Sequence, residues 1–169
     1  MKDLWNKTFT AVQDITMPDA IIDAQCSYLE KATNGKIVAR VSSYDGPISS
    51  YVAHSPLNFA QYFADRKVEV QEKLGNISEG DFTFEFIITS TNTPNYKYRV
   101  MFIQYDIPFY PVLIVLDERI ASDLELPVNV RCDTQVDFES AVELILGSKT
   151  IEQVISSLLA IAQRDSIPI

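Results

Sequence analysis

Alternating apolar and polar positions dominate the middle of the chain and predict adjacent β-strands there. Apolar residues fill every second position from 82 to 88, which is the period of a strand with one covered face. Turn-forming residues occupy 90–95, and the alternation resumes over 96–105. A corner with two prolines at 106–111 leads into the apolar run 112–116, a pattern typical of a strand covered on both faces.

The first two of these strands are expected to form an antiparallel hairpin. Placing Glu85 opposite Arg99 creates an opposite-charge pair, and such pairs add about 0.2–1 kcal/mol across antiparallel strands. The same register pairs Phe82 with Phe102 on one face of the sheet. A shift by one residue would place Phe86 opposite Arg99 and mix the two faces, so the sequence favours this register.

Upstream of the strands, the clearest pattern is a helix start. The segment 16–19 combines a hydroxyl residue, a proline and an acidic residue, and it predicts a helix that runs to about Ala32. Alternation over 36–44 predicts a strand. Further patterns predict a helical segment over 3–13, a returning strand over 48–54 and a helix over 55–74.

Downstream, a short helical segment is predicted over 119–124 and a last strand over 128–132. Two helices then follow. The first is predicted to be capped by Asp137 and closed by Gly147, and the second to begin with a capping box at 150–153. This order of elements predicts an α+β fold, a single domain in which helices pack on an antiparallel sheet and two helices are C-terminal.

Length and composition agree with one well-buried domain spanning residues 1–169, since 47% of the residues are hydrophobic. The first residues lack the apolar run of a secretory signal, and no apolar run approaches the ~18 residues that cross a bilayer. Cys26 and Cys132 lie on different predicted elements, which favours buried free thiols over a disulfide. We therefore expect a cytoplasmic protein that has no membrane partner.

The net charge of −9 is concentrated in the second part of the chain. Residues 1–105 contain 12 acidic and 10 basic side chains, a net of −2, whereas residues 106–169 contain 11 acidic and 4 basic side chains, a net of −7. An acidic excess keeps a small domain soluble, and it also attracts a basic partner. It argues against nucleic acid as the partner, because binding there depends on Lys and Arg that neutralise phosphates.

No motif of catalysis, phosphate binding or metal binding occurs in the sequence. The one histidine, His54, has no recognisable catalytic partner, and Cys26 and Cys132 lack the spacing of a zinc site. The five glycines are scattered singly, so neither a Walker nor a Rossmann loop is present. We expect no cofactor, no metal and no enzymatic activity.

The adjacent acids Asp117 and Glu118 allow two interpretations. Behind a buried strand, a carboxylate with a pKa raised by burial could act as a general acid. Acidic residues after a strand are also typical of a helix N-terminus, where the helix dipole stabilises negative charge.

The remaining features indicate binding to another protein. Phe109 and Tyr110 lie in a stiff loop between prolines, where they would either anchor an interface or cover the sheet edge. Charge complementarity and strand addition at an exposed edge are the two physical routes. The predicted partner-binding residues are Asp106, Phe109, Tyr110, Asp117, Glu118, Asp123 and Glu125.

In outline, the chain resembles the cytoplasmic immunity proteins of bacterial contact-dependent growth inhibition and related polymorphic toxin systems. The resemblance rests on size, acidity, the α+β order, and the strands of 82–116 followed by Asp117-Glu118 and two C-terminal helices. It implies tight inhibition of a cognate toxin domain, often a basic nuclease, by covering its active site or by accepting a toxin β-hairpin at the sheet. It carries no diagnostic motif, so it assigns no residue roles.

Two other functions fit the same sequence. A secretion or assembly chaperone would also be small, acidic and α+β, and because such chaperones are often dimeric we leave a homodimer open. An enzyme that used Asp106, Asp117 or Glu118 would need a concave pocket beside these carboxylates.

Overall fold

Among the residues that the structure describes, each strand of the sheet pairs with the strand that precedes or follows it in sequence order. The computed structural model describes residues 10–11, 14–46, 82–107 and 109–165. Within these residues the sheet has five antiparallel strands in the order β1-β2-β3-β4-β5. The elements are α1 (Pro18–Ala32), β1 (Ile37–Ser43), β2 (Phe82–Ser90), β3 (Tyr98–Tyr105), β4 (Val112–Leu116), α2 (Glu118–Asp123), β5 (Asn129–Cys132), α3 (Gln135–Leu146) and α4 (Lys149–Arg164).

The predicted α+β fold is confirmed, including its antiparallel sheet and its two C-terminal helices. Three predicted elements cannot be compared with the structure. The strand over 48–54, which contains His54, and the helix over 55–74 lie outside the described residues. Of the helical segment over 3–13, only residues 10 and 11 are described. Cys26 and Cys132 are buried free thiols, as predicted.

The main hydrophobic core lies between one face of the sheet and the helices α1, α3 and α4. Ile22 of α1, Phe86 of β2 and Phe138 of α3 are almost completely buried there. In α4 apolar residues recur at helical spacing from Ile151 to Ala162, and Ile151 and Leu158 are buried in the same core. The helices stay on the sheet because this packing removes their apolar stripes from water.

A β-bulge in β3 sets which side chains reach the core. Phe86 pairs with Met101, but the next residue of β2 pairs with Arg99, so Val100 is the extra residue of β3. Val100 and Met101 are both fully buried in the main core. Beyond the bulge the alternation is reversed, and Phe102 therefore lies on the face of the sheet away from the helices, in a small cluster with Leu113 and Val115.

The predicted hairpin register is wrong by three residues at its open end. Phe82 pairs with Tyr105 and not with Phe102. Two residues of the shift arise because the loop extends to residue 97, and the bulge contributes the third. Glu85 and Arg99 nevertheless form an ion pair, with 2.8 Å between Oε2 and Nη2, because they are diagonal neighbours on one face.

The capping residue of α3 lies upstream of the predicted one. Thr134 is the N-cap, and its Oγ1 accepts a hydrogen bond from the backbone N–H of Asp137 at 3.2 Å. The Asp137 carboxylate in turn accepts from the Thr134 N–H at 3.1 Å. Asp137 is therefore the third helical residue of a capping box and not the N-cap.

Two other predicted caps are also displaced. Ser148, not Thr150, caps α4, and its Oγ accepts from the Ile151 N–H at 3.3 Å. In α1 the N-cap position belongs to Met17, which makes no side-chain capping bond, so Thr16 is not a cap. The proline in the first turn of α1 is as predicted.

Among the described residues, no single helix is both long and apolar enough to cross a membrane. The pair α3–α4 meets that test by length and composition only, across a bend of 51°.

Candidate functional site

The predicted partner-binding residues lie in two groups at opposite ends of the sheet. Asp106, Phe109 and Tyr110 follow β3, whereas Asp117 and the acids after it follow β4. Because β3 and β4 are antiparallel, β4 separates the groups by about 17 Å at about 3.3 Å per residue. The seven residues therefore do not form one surface. We call the two regions the Asp106 end (described residues within 14–19, 82–84, 105–111 and 131–139) and the Asp117 end (described residues within 30–36, 97–98, 117–125 and 149–150).

At the Asp117 end, Asp117 has a structural role as the N-cap of α2. Its Oδ1 accepts hydrogen bonds from the backbone N–H of Arg119 at 3.0 Å and from the Tyr98 hydroxyl at 2.8 Å. The Arg119 guanidinium lies 5.3 Å from the centre of the Tyr98 ring. Glu118 is exposed in the first turn. The helix-start interpretation of Asp117-Glu118 thus describes their geometry.

Asp123 also binds within the chain, since its Oδ2 accepts from the backbone N–H of Thr150 at 3.1 Å and ties α2 to α4. Glu125 is exposed and has a φ of 54°. Basic residues at this end offset the acids along the described chain: Lys31, Lys36, Lys97, Arg119 and Lys149. The acidic excess after residue 105 therefore does not make this end strongly negative.

Replacing Asp123 by alanine should lower the free energy of unfolding by about 1–2 kcal/mol, because a first-turn N–H of α4 loses its carboxylate acceptor. The matched control is Glu118→Ala, at an exposed acid on the same helix, which should change stability by less than about 0.5 kcal/mol. Urea unfolding of both variants measures the difference. Equal effects would mean that the Asp123–Thr150 bond does not stabilise the fold.

At the Asp106 end, aromatic rings pack around Tyr105. The rings of Phe82 and Phe84 stack on Tyr105 with centroids 5.4 Å and 5.9 Å away, and Phe109 meets it edge-on at 6.2 Å. The Tyr105 hydroxyl donates to the Asp19 carboxylate in the first turn of α1. This cluster joins β2, β3 and the β3–β4 loop to the start of α1.

Phe109 and Tyr110 are half-buried, and they cover the end of the sheet. Phe109 has a φ of 83°, a conformation that costs a bulky residue about 1–3 kcal/mol, and its N–H donates to the Asp106 carbonyl. The Tyr110 ring meets Phe138 edge-on at 6.4 Å, and the peptide bond to Pro111 is cis. Both rings pack on the core in the loop between the inner strands β3 and β4, so they cover an end of the sheet and not the sheet edge that the sequence suggested.

Large apolar side chains that the sequence did not single out are exposed at this same end. Ile107 is 75% exposed and Val136 is 70% exposed. The buried residues of α3 are Phe138, Val142 and Ile145, and Val136 lies outside this apolar stripe. The helical spacing in the sequence could therefore have indicated that Val136 is exposed. Together these side chains form what we call the apolar patch: Ile15, Met17, Phe82, Ile107 and Val136.

Hydrogen bonds through Thr16 bring the parts of the apolar patch together. The Tyr110 hydroxyl donates to the Thr16 carbonyl at 3.2 Å, which holds the β3–β4 loop against the segment before α1. The Thr16 N–H donates to Gln135 Oε1 at 3.1 Å, which holds the same segment against the start of α3. Phe82 pairs with Tyr105, the last residue of β3 before the β3–β4 loop, and so lies at the same end of the sheet.

Carboxylates adjoin the members of the apolar patch along the chain, since acidic residues 14, 106 and 137 are next to Ile15, Ile107 and Val136. Glu139 lies near Tyr110, and burial followed by the charge of Glu139 raises the pKa of Tyr110 to about 12. Among the described residues at this end, the basic side chain is that of Arg131. It forms an ion pair with Asp133, with 2.7 Å between Nε and Oδ1. The described acidic residues here are Asp14, Asp19, Asp106, Asp133, Asp137 and Glu139.

Within the described residues, no cluster of three or more His, Cys, Asp or Glu side chains could hold a metal ion. The Asp106 end therefore carries exposed apolar side chains together with acidic ones. No protein-family model, curated protein or solved structure gives a significant match to this chain.

Proposed function

We propose that this protein is an immunity protein, or antitoxin, that binds and neutralises a cognate toxin domain, a basic nuclease. The observation that carries the proposal is the Asp106 end, where exposed apolar side chains lie among carboxylates. Protein surfaces of this kind favour a protein partner, since apolar contact supplies affinity and charge complementarity supplies specificity and speed.

The proposed mechanism is inhibition by occlusion, without turnover. The net charge of −9 attracts a basic domain over several ångströms and raises its rate of encounter. Once bound, the protein would cover the surface with which the toxin holds its anionic substrate. It would act in the cytoplasm of the producing cell, with neither nucleic acid nor membrane as its own ligand.

Capture of the tagged full chain from its native host tests this proposal directly. We expect a basic partner that forms a 1:1 complex and whose nuclease activity is lost at equimolar protein. The association rate constant should fall at least about tenfold between 50 mM and 300 mM salt, because steering between opposite charges is screened. A partner that keeps its full activity in the complex would contradict the proposal, and so would a small ligand or metal that co-purifies stoichiometrically.

A further inference from the structure

We infer that the apolar patch is the docking surface for a cationic protein segment, whose apolar side chains contact the patch while its lysines or arginines reach the carboxylates at the same end of the sheet. The inference rests on the proposed function in its choice of a protein as the partner. It goes further by naming which side chains of the Asp106 end make the contact and the chemistry of the segment that covers them.

The apolar half of the argument is the exposure of Ile107 and Val136. Each is at least 70% exposed, and hydrogen bonds through Thr16 hold together the β3–β4 loop and the start of α3 on which they lie. Scattered single apolar residues are ordinary on a protein surface, but several of them exposed at one end of a sheet, on segments that hydrogen bonds join, are typical of an interaction site. Removing this surface from water would give a partner most of its binding free energy.

The charged half of the argument is the set of carboxylates at the Asp106 end. No lysine or arginine among the described residues pairs with Asp14, Asp106 or Glu139. A partner that brings cations beside its apolar side chains would neutralise them. An acidic or neutral segment would leave them without a cation, with only the neutral donors that Asp106 and Glu139 already have in Ile107 N–H and Gln135 Nε2.

The same charges disfavour the two other occupants of an apolar patch. In a symmetric dimer the same surface meets itself, so that the carboxylates at this end of one copy would face the carboxylates of the other. An anionic membrane surface would repel them. A cationic segment of another protein is the occupant that satisfies both the apolar and the charged side chains.

The binding test uses two fluorescent 14-residue peptides of equal charge, one made of lysine and leucine and one in which serine replaces each leucine. We expect the lysine–leucine peptide to bind the full chain at least about tenfold more tightly. The double variant Ile107→Ser/Val136→Ser should weaken that binding at least about tenfold, because two exposed contacts are lost. Asp106→Asn/Glu139→Gln should weaken the binding of both peptides and reduce its salt dependence.

Matched controls come from the rest of the chain. Leu144→Ser removes an apolar side chain that is 54% exposed near the other end of α3, and Glu118→Gln/Glu125→Gln removes two exposed charges at the Asp117 end. Both variants should bind like the parent chain. If they weaken binding as much as the patch variants do, the inference is wrong, because the peptide then responds to charge or exposure anywhere.

Further outcomes separate this inference from the proposed function. If the captured toxin binds the Ile107→Ser/Val136→Ser variant as tightly as the parent, the docking surface is wrong while the immunity function stands. If the peptide discriminates as expected and no toxin is neutralised, the function is wrong and the surface stands. A dimer that Ile107→Ser dissociates, or sedimentation with anionic lipid vesicles that the same change abolishes, would overturn the inference.

Discussion

Replacing Phe102 by alanine should lower the free energy of unfolding by about 3–5 kcal/mol, the range for large aromatic residues in a packed interior. Phe102 is fully buried although it lies on the face of the sheet away from α1, α3 and α4. Its ring centre lies 4.7 Å from that of Tyr44, and the Arg99 guanidinium lies 4.8 Å above it. The substitution would open a cavity beneath these two side chains.

The matched control is Phe82→Ala, the same change at the residue that the sequence paired with Phe102. Phe82 is 41% exposed at the start of β2, so it has less surface to lose and should cost about 1–2 kcal/mol. Urea unfolding of the two variants measures the difference. Equal losses would contradict the placement of Phe102 on a covered face beyond the bulge, and would favour the uninterrupted alternation that the sequence predicts.

The bulge shows where sequence patterns stop being informative. In β2 the alternation of aromatic and polar residues predicts the buried face, and Phe86 and Ile88 are buried as expected. In β3 the residues around Met101 are apolar on both faces of the strand. An extra residue there does not break the apolar pattern, so the sequence gives no sign of the bulge. The predicted ion pair of Glu85 with Arg99 forms all the same, because diagonal neighbours are within reach of long side chains.

The sequence predicts the buried faces of the helices better than the residues at which the helices begin. The apolar spacing of α4 depends on its own sequence, and its buried residues follow that spacing. Its cap depends on which of two nearby hydroxyl residues, Ser148 or Thr150, occupies the N-cap position when the helix packs. Thr150 instead gives its N–H to Asp123, which is 27 residues away, a contact that local patterns do not contain.

The candidate site was the part least accessible from sequence. The acids counted after residue 105 divide between two ends of the sheet, because the antiparallel turn between β3 and β4 reverses the chain. Asp117 and Asp123 act as helix-terminal acceptors within the fold. The apolar patch depends on the hydrogen bond between Tyr110 and Thr16, which are 94 residues apart in sequence. Neither a tyrosine nor a threonine indicates such a contact from its sequence position.

Alkaline pH should destabilise the protein steeply, because buried thiols and phenols must ionise. Burial, aided by nearby carboxylates, raises the pKa of Cys26 to about 11 and that of Cys132 to about 11, from an ordinary value near 9. Burial and then a hydrogen bond to a carboxylate raise the pKa of Tyr98, through Asp117, and of Tyr105, through Asp19. All these groups stay protonated to a higher pH in the folded chain than in the unfolded chain.

The sign of the pH dependence follows from proton binding. Well below pH 9 both the folded and the unfolded chain hold these protons, and the free energy of unfolding has its full value. Between about pH 9 and 11 the unfolded chain has lost its thiol protons and the folded chain has not, so each thiol lowers stability by up to about 1.4 kcal/mol per pH unit. The tyrosines extend the loss above about pH 10. Against a typical total of about 5–15 kcal/mol, the two thiols alone remove much of the stability.

Urea unfolding midpoints at pH 8, 9, 10 and 11 under reducing conditions measure this loss. The variant Cys26→Ala/Cys132→Ala should be less stable than the parent at pH 8, because two buried sulfurs are gone, yet its stability should fall less between pH 9 and 10, where thiols dominate. Tyrosinate absorbance should rise in two stages, since Tyr98 and Tyr105 would ionise only as the chain unfolds. Equal slopes for parent and variant would show that the thiols titrate normally and are accessible to water in the folded protein.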